Sequence, residues 1–259
     1  HTAYRRQRQM CIRDRGTVGL EIMEQVKDAE VVLCPIGGGG LISGVAFAVK
    51  QINPNCKVYG VQAAGAPSMQ NALNVGKAEA LASVSTMADG IAVKQPGDLT
   101  FAMCQKYVDG VVTVTEDEIA SAILKLIEKH KMVAEGAGAV SVAAAMYNKV
   151  DIKGKKAVCI ISGGNVDVNV LDRIIDKALQ ANGRITKLSV MVMDKPGQLT
   201  QLLTAIAETG ANIFSVNHDR MVQDIAVSTC IVDIVAETRN KEHSEQMIEA
   251  IKAKGFTVL

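Results

Sequence analysis

Four consecutive glycines, Gly37 to Gly40, are the feature that most restricts the fold of this 259-residue chain. They follow a continuous apolar run at residues 31–36, which has the length and composition of a strand buried on both faces. A helical pattern begins directly after them, at Leu41, and continues to residue 51. Because four glycines in a row are entropically costly, the loop predicts a place where the backbone comes close to a ligand.

The position of the loop predicts that the ligand is an anion. Backbone N–H groups without neighbouring Cβ atoms can point at an anion, and the helix N-terminus adds positive potential. A dinucleotide fingerprint requires G-x-G-x-x-G or A, but the frames that start at Gly37 and Gly38 end on Ile42 and Ser43. No lysine follows the glycines, so the nucleotide P-loop pattern is absent as well. The loop therefore predicts a phosphate cradle of another class.

Strands and helices alternate through the rest of residues 16–183, which predicts an α/β domain with an open, mostly parallel sheet. Further strands are predicted at 57–61, 110–114 and 156–161, and further helices at 69–76, 115–131, 139–148 and 168–181. The last strand runs into Ser162-Gly163-Gly164-Asn165. Since ligands collect at the carboxyl ends of parallel strands, this turn and the tetraglycine loop are expected to face one pocket.

A second domain is predicted at residues 184–259, after the turn Asn182-Gly183-Arg184. The pattern there is β-α-β-β-α-β, which is the ferredoxin-like arrangement.

Residues 1–15 contain five arginines and no helical or strand period. We interpret them as a disordered segment or as material foreign to the native protein.

Composition restricts the function classes. The net charge of +1 gives no reason to expect nucleic acid or an acidic membrane as a partner. None of the apolar runs has the length of a membrane span. The six cysteines show no metal-ligand spacing, and Cys34 and Cys159 lie within apolar runs, as reduced thiols do in cytoplasmic proteins. The sequence predicts a cytoplasmic protein.

Five motifs in a fixed order resemble those of threonine dehydratase, a pyridoxal-phosphate enzyme of the tryptophan-synthase-β-like fold (fold type II). They are G-T-V-G-L-E-I at 16–22, the tetraglycine at 37–40, A-D-G-I-A-V at 88–93, A-E-G-A-G-A at 134–139 and S-G-G-N at 162–165. The resemblance extends from residue 16 to about residue 181. It implies deamination of L-threonine, with L-serine as a second expected substrate, to a 2-oxo acid and ammonia.

The resemblance also implies pyridoxal 5'-phosphate as the cofactor. The tetraglycine backbone would hold its phosphate, the Ser162 hydroxyl would bond the pyridine nitrogen, and Glu135 would lie near the ring. The implied cofactor-binding residues are Gly37, Gly38, Gly39, Gly40, Leu41, Glu135, Ser162 and Gly163. A hydroxyl does not hold the pyridine protonated as a carboxylate would, which suits the loss of a β-leaving group.

The chain departs from the family pattern at two places. The Schiff-base lysine of the family lies in a Ser-x-Lys-x-Arg-Gly segment that is missing here, so we expect no catalytic residue in this chain and no activity from it alone. Some relatives bind a divalent cation through an acid after the second strand. Gln62 stands there, followed by Ala66 and Ser68, so no such metal is expected.

The second domain resembles the ACT domain, which regulates many enzymes of amino-acid metabolism. The implied effector-binding residues are Asp194, Gly197, Gln198, Leu199, Asn212 and Ile213. The resemblance implies isoleucine or valine as the effector, bound between paired domains, and therefore a homo-oligomer.

Two other functions stay open at this stage. Serine racemase and serine dehydratase share the same motifs, and the pocket residues that would distinguish them lie mostly in the missing region. A non-catalytic amino-acid-sensing module would explain the missing lysine, but it has no evident use for an intact tetraglycine loop and Ser162.

Overall fold

The computed structural model describes residues 2–221 and 226–259, in which the chain divides into two compact units between Leu171 and Asp172. That division falls within a helix, ahead of the predicted boundary at residues 183 and 184.

The first unit contains helices and strands in near-regular alternation. Their bounds are α1 (Thr2–Gln25), β1 (Val31–Pro35), α2 (Gly40–Ile52), β2 (Lys57–Ala63), α3 (Ser68–Val75), α4 (Asp98–Tyr107), β3 (Gly110–Val114), α5 (Glu116–Lys125), α6 (Gly136–Met146) and β4 (Ala157–Cys159). A 3₁₀ turn at Asp89–Ile91 and a π-helical turn at Leu126–His130 complete it.

The four strands of this unit form one parallel sheet in the order β3-β2-β1-β4, which confirms the α/β class. Every residue of β1 is buried, as its continuous apolar run predicts. Leu33 of β1 pairs with Cys159 of β4, so both strands end at the same edge of the sheet. The tetraglycine loop and the Ser162 turn follow these two strand ends and therefore lie at that edge.

Helix α1 differs from the sequence prediction, since residues 2–15 are helical where no helical period was found. From Ile12 onward, α1 contacts α2 through small residues rather than through an apolar stripe. A Cβ atom on Gly44 of α2 would overlap the backbone of Ile12, and one on Gly19 would stand 2.8 Å from the Val45 carbonyl oxygen. The two helices therefore pack backbone to backbone, a contact that hydrophobic periodicity does not reveal. The foreign origin of the segment stays a prediction.

Other differences are local. Helix α4 has no counterpart in the predictions, and β4 has three residues where six were predicted. Thr115 does cap α5: its hydroxyl accepts a bond from the Glu118 N–H, and the Glu118 carboxylate accepts one from the Thr115 N–H at 2.8 Å. The predicted continuation of this helix to Lys131 instead passes through the π-helical turn to a left-handed residue.

The second unit includes most of α7 (Val168–Ala181) and a four-stranded antiparallel sheet. Its remaining elements are β5 (Ile185–Met193), α8 (Gln198–Glu208), β6 (Asn212–Asp219), β7 (Thr229–Glu237), α9 (Lys241–Ala253) and β8 (Thr257–Val258). The strand order β6-β7-β5-β8 is that of a ferredoxin-like fold, as the sequence predicted.

The core of this unit lies between the helices and one face of the sheet, around Leu202, Ile206, Ile234, Met247 and Ile251. Within the described ranges, none of the helices is long and apolar enough to cross a membrane.

Candidate functional site

The tetraglycine loop is shaped by one residue in the left-handed region. Gly39, the N-cap of α2, has φ +88°. A Cβ atom there would stand 2.7 Å from Cε of Met69 and 2.8 Å from Cβ of Thr100. Glycine is therefore required at this position both by backbone conformation and by space. By contrast, a Cβ atom on Gly38 would meet nothing within 4 Å.

Two hydroxyl groups fix the carbonyl groups of the loop. Thr100 Oγ1 donates to the Gly38 carbonyl oxygen at 2.6 Å, and Ser43 Oγ donates to the Gly39 carbonyl oxygen at 2.6 Å. Both residues are buried, so the bonds are shielded from water. The N–H groups of the first turn of α2 have no partner within the helix, and they are available to an anion.

Three of the other sequence motifs meet at the N-terminus of α6. A Cβ atom on Gly136 would stand 2.9 Å from Cα of Ala88, and one on Gly138 would overlap the backbone of Ser162. The backbone N–H of Glu135 donates to the Gly163 carbonyl oxygen at 3.3 Å. These motifs, which are far apart in sequence, come together because two residues of the first turn of α6 lack side chains.

The Glu135 carboxylate lies between two further glycines. A Cβ atom on Gly90 would stand 3.2 Å from Glu135 Oε1, and one on Gly163, which has φ +81°, would overlap the same carboxylate. Glu135 is half-buried and accepts no capping bond from its own helix. The carboxylate is therefore confined by its neighbours.

Glu116 supports the segment before Gly90, a role that the sequence did not reveal. Its carboxylate accepts a bond from the Thr86 hydroxyl at 2.6 Å and one from the Met87 N–H at 2.7 Å. The Ala88 N–H then donates to the Thr86 hydroxyl oxygen at 3.1 Å. The acidic start of α5 had predicted only a helix N-terminus.

All eight residues predicted to bind the cofactor line one cavity of about 350 Å³. They are Gly37, Gly38, Gly39, Gly40, Leu41, Glu135, Ser162 and Gly163, and Arg15, Pro35, Gly90, Ile91 and Ala137 complete the lining. Arg15 supplies a positive charge beside the loop, since its Nη1 lies 2.7 Å from the position of a Cβ atom on Gly40. Among these described lining residues there is no lysine.

Gln62 has a structural role. It is buried, and its Nε2 donates to the Ile36 and Ala66 carbonyl oxygens, both at 3.3 Å. Its Oε1 accepts from the Gln70 N–H at 2.9 Å. The side chain thereby ties the end of β1 to the start of α3.

Three cysteines of the first unit have raised pKa values, and of these Cys34 and Cys104 are buried and Cys159 is half-buried. Burial raises the pKa of Cys104 to about 12 and that of Cys159 to about 11. The pKa of Cys34 is raised further, by burial first and by Cys104 next. These thiols stay protonated at neutral pH and are not nucleophiles.

The predicted effector-binding residues fall into two groups. Asp194, Gly197 and Leu199 line a cavity of about 490 Å³ at one end of the second sheet, and Gln198 begins α8 beside them. Asn212 and Ile213 lie at the other end, because Asn212 and Ile185 both pair with Glu237. Along β5 the two ends are roughly 25 Å apart. One copy of the chain therefore does not bring all six residues together.

Comparison with known proteins places this geometry in a family. The profile of a family described as "Pyridoxal-phosphate dependent enzyme" matches residues 7–163. An L-threonine ammonia-lyase of Thermotoga maritima is 52% identical over 247 residues, which are 95% of this chain and 61% of that protein.

Two solved structures are similar to about two thirds of this chain. The processed form of threonine deaminase isoform 2 from Solanum lycopersicum is 42% identical, with a TM-score of 0.61 over 64% of this chain and 47% of that one. Maize serine racemase is 36% identical, with a TM-score of 0.57 over 64% of this chain and 52% of that one.

The chain belongs to the family of pyridoxal-phosphate-dependent enzymes. The predicted cofactor is therefore confirmed as that of the family, while the chain spans 61% of the length of the Thermotoga relative.

Gly39→Ala should destabilise the first unit by about 1–3 kcal/mol, the cost of a side chain in a left-handed position, before the clash with Thr100 is added. Urea unfolding of the full chain measures the change. Gly38→Ala is the matched control, since its Cβ atom meets nothing, and it should unfold within about 1 kcal/mol of the native chain. Equal destabilisation by both variants would contradict the role given to Gly39.

Proposed function

We propose that the protein of which this chain is part is a threonine ammonia-lyase, which converts L-threonine to 2-oxobutanoate and ammonia with pyridoxal 5'-phosphate. The observation that carries the proposal is the single cavity formed by the tetraglycine loop, Glu135 and Ser162 at the carboxyl edge of a parallel sheet. The relatives similar to this chain include enzymes named for this reaction.

The proposed phosphate site is the tetraglycine loop. The carbonyl groups of Gly38 and Gly39 are tied to Thr100 and Ser43, so the neighbouring N–H groups have a fixed direction before any anion arrives. A preorganised donor set loses little entropy on binding. The N-terminus of α2 adds positive potential for a dianionic phosphate.

Ser162 and Glu135 are proposed to position the aromatic ring of the cofactor. The cofactor, when bound, stabilises negative charge on the α-carbon of an amino acid. The Ser162 hydroxyl offers a neutral contact to the ring nitrogen, so that nitrogen need not be protonated. Glu135 is held against Gly163 and Gly90 at the cavity wall, where its carboxylate orients polar groups of the bound molecules.

The 259-residue chain is not proposed to be competent alone. A lysine is needed to take up the proton from the α-carbon, and the described lining of the cavity offers only Arg15 as a cation. An arginine stays protonated at neutral pH and cannot accept that proton.

Serine racemase is the second candidate activity. The likeness of this chain to maize serine racemase, at 36% identity over 64% of the chain, favours it. Both activities begin with removal of the same proton, so they differ only in the later steps, and the products distinguish them.

For the second unit we propose an ACT domain that binds isoleucine or valine between two copies of the chain. Two observations support it. The strand order is ferredoxin-like, and the predicted effector residues lie at opposite ends of one sheet, which an antiparallel pairing of two copies would bring together. Edge strand β6 has an exposed apolar side chain, Phe214, which is 75% accessible and suited to such pairing.

The chain should bind pyridoxal 5'-phosphate even though the Schiff-base lysine is missing. Inorganic phosphate should compete with the cofactor for the same site. Isothermal titration of the full chain measures both affinities. Gly38→Ala, which adds a methyl group beside the loop without straining it, should weaken both by at least about tenfold, or about 1.4 kcal/mol. Ser162→Ala should weaken the binding of the cofactor but leave the binding of inorganic phosphate unchanged. Equal affinities of native and Gly38→Ala protein would rule out the loop as the phosphate site.

The gene sequence upstream of Gly16 is expected to continue into a Ser-x-Lys-x-Arg-Gly segment. A protein extended to include it should form 2-oxobutanoate from L-threonine, while the 259-residue chain should form none. Formation of D-serine from L-serine, without 2-oxobutanoate from threonine, would instead identify a racemase. Absence of the segment from the gene would favour a non-catalytic sensing module.

Phe214→Glu should convert a dimer to a monomer, because a charge on edge strand β6 opposes strand-to-strand pairing. Sedimentation equilibrium measures the mass, and calorimetry with isoleucine and valine should show weaker binding by the same variant. Val168→Glu is the control, because Val168 is another exposed apolar residue (77% accessible). This variant should change neither the mass nor the binding of isoleucine and valine. A dimer that survives Phe214→Glu would exclude pairing through β6.

A further inference from the structure

Three side chains with metal-binding atoms converge in the second unit. They belong to Asp194, His218 and Cys230. Each residue contributes one ligand atom, and the three atoms lie within 4.8 Å of one another. Asp194 and His218 are exposed, and Cys230 is buried. The ligand residues are separated by 24 and 12 positions in the chain, so no ligand-spacing motif in the sequence indicates them.

The pairing of the strands creates this cluster. Cys230 of β7 lies opposite Val192 of β5, and Val232 lies opposite His218 of β6. Side chains two residues apart on a strand point to the same face, so Cys230 and His218 share one face of the sheet. Asp194 follows Val192 by two residues and continues on that face. The sheet register therefore places the three residues on one face of the sheet.

A thiolate, an imidazole and a carboxylate together form a ligand set typical of zinc. In a tetrahedral zinc site, neighbouring ligand atoms are about 3.3–3.8 Å apart, given bonds of about 2.0–2.3 Å. Small rotations of Asp194 and His218, both solvent-exposed, close the remaining gap around the fixed Cys230. The adjoining cavity of about 490 Å³ has room for a fourth ligand.

The Asp194 carboxylate is held in place by a neighbouring guanidinium group. Arg220 Nη2 lies 3.0 Å from Asp194 Oδ1 and fixes the orientation of the carboxylate, as an outer partner of a metal ligand does. A dication that binds the Cys230 sulfur takes the place of the thiol proton, which passes to solvent.

We propose that Asp194, His218 and Cys230 bind one divalent cation of the zinc class, with an open fourth position toward the cavity. The sequence predicted no metal site in the chain, on Gln62 and on the spacing of the cysteines, and this proposal departs from that prediction because strand pairing, not spacing, brings the three residues together. The site does not depend on the proposed ammonia-lyase activity, and it shares Asp194 and the cavity with the proposed effector-binding residues. The open coordination position of the bound metal could be filled by a carboxylate or amino group of a ligand in the cavity.

Cobalt and zinc, each added alone to the reduced full chain, test the proposal. One equivalent of Co²⁺ should give a thiolate-to-cobalt charge-transfer band, together with d–d bands of the intensity typical of four ligands, and Zn²⁺ should abolish them. Cys230→Ser should remove the charge-transfer band. His218 is exposed, so His218→Gln should leave the core intact. This variant should lower the affinity for Zn²⁺ by at least about tenfold, as measured by competition with a chromogenic chelator.

His130→Gln is the matched control, because that exposed histidine lies in the first unit, and it should bind Co²⁺ and Zn²⁺ as the native chain does. A charge-transfer band that persists in Cys230→Ser would place the metal on another cysteine and overturn the proposal. Absence of any band in the native chain, or unchanged Zn²⁺ affinity in His218→Gln, would overturn it equally. None of these three outcomes depends on threonine turnover or on isoleucine binding.

Discussion

The close approach of three backbone segments at the N-terminus of α6 is the constraint on which the first unit depends. Gly136 admits the segment around Ala88, and Gly138 admits the turn at Ser162. A side chain at either position would push one segment away and open the cavity. The carboxylate of Glu135 is confined in the same way, by the absence of side chains on Gly90 and Gly163. The cavity wall is thus built by close backbone contact, with few large side chains.

The tetraglycine loop uses glycine for two different reasons. Gly39 is required by a left-handed backbone and by the nearness of Thr100, whereas Gly38 faces open space. The first supports the shape of the turn, and the second leaves room for a ligand. The hydroxyls of Thr100 and Ser43 donate to the carbonyl groups of Gly38 and Gly39 and thereby restrain the loop. Of these two residues, Thr100 lies on α4, the helix that sequence reasoning missed.

The two units use their sheets differently. In the first, parallel strands end at one edge and place loops there, which is how an α/β sheet forms a site. In the second, antiparallel register aligns side chains from three strands on one face, and this aligns Asp194, His218 and Cys230. The same register holds Asn212 away from Asp194, which is why the proposed effector site requires two copies.

The sequence by itself determined the fold class, the alternation of strands and helices, and the loops that meet at the first cavity. It could do so because buried strands, glycine loops and helix caps such as Thr115 are local signals. Tertiary structure alone decided the helical start of α1, the support that Glu116 gives to Met87, and the metal-ligand cluster. Each of these depends on contacts between residues far apart in the chain, or on backbone packing between small residues. Neither kind of contact produces a periodic pattern in the sequence.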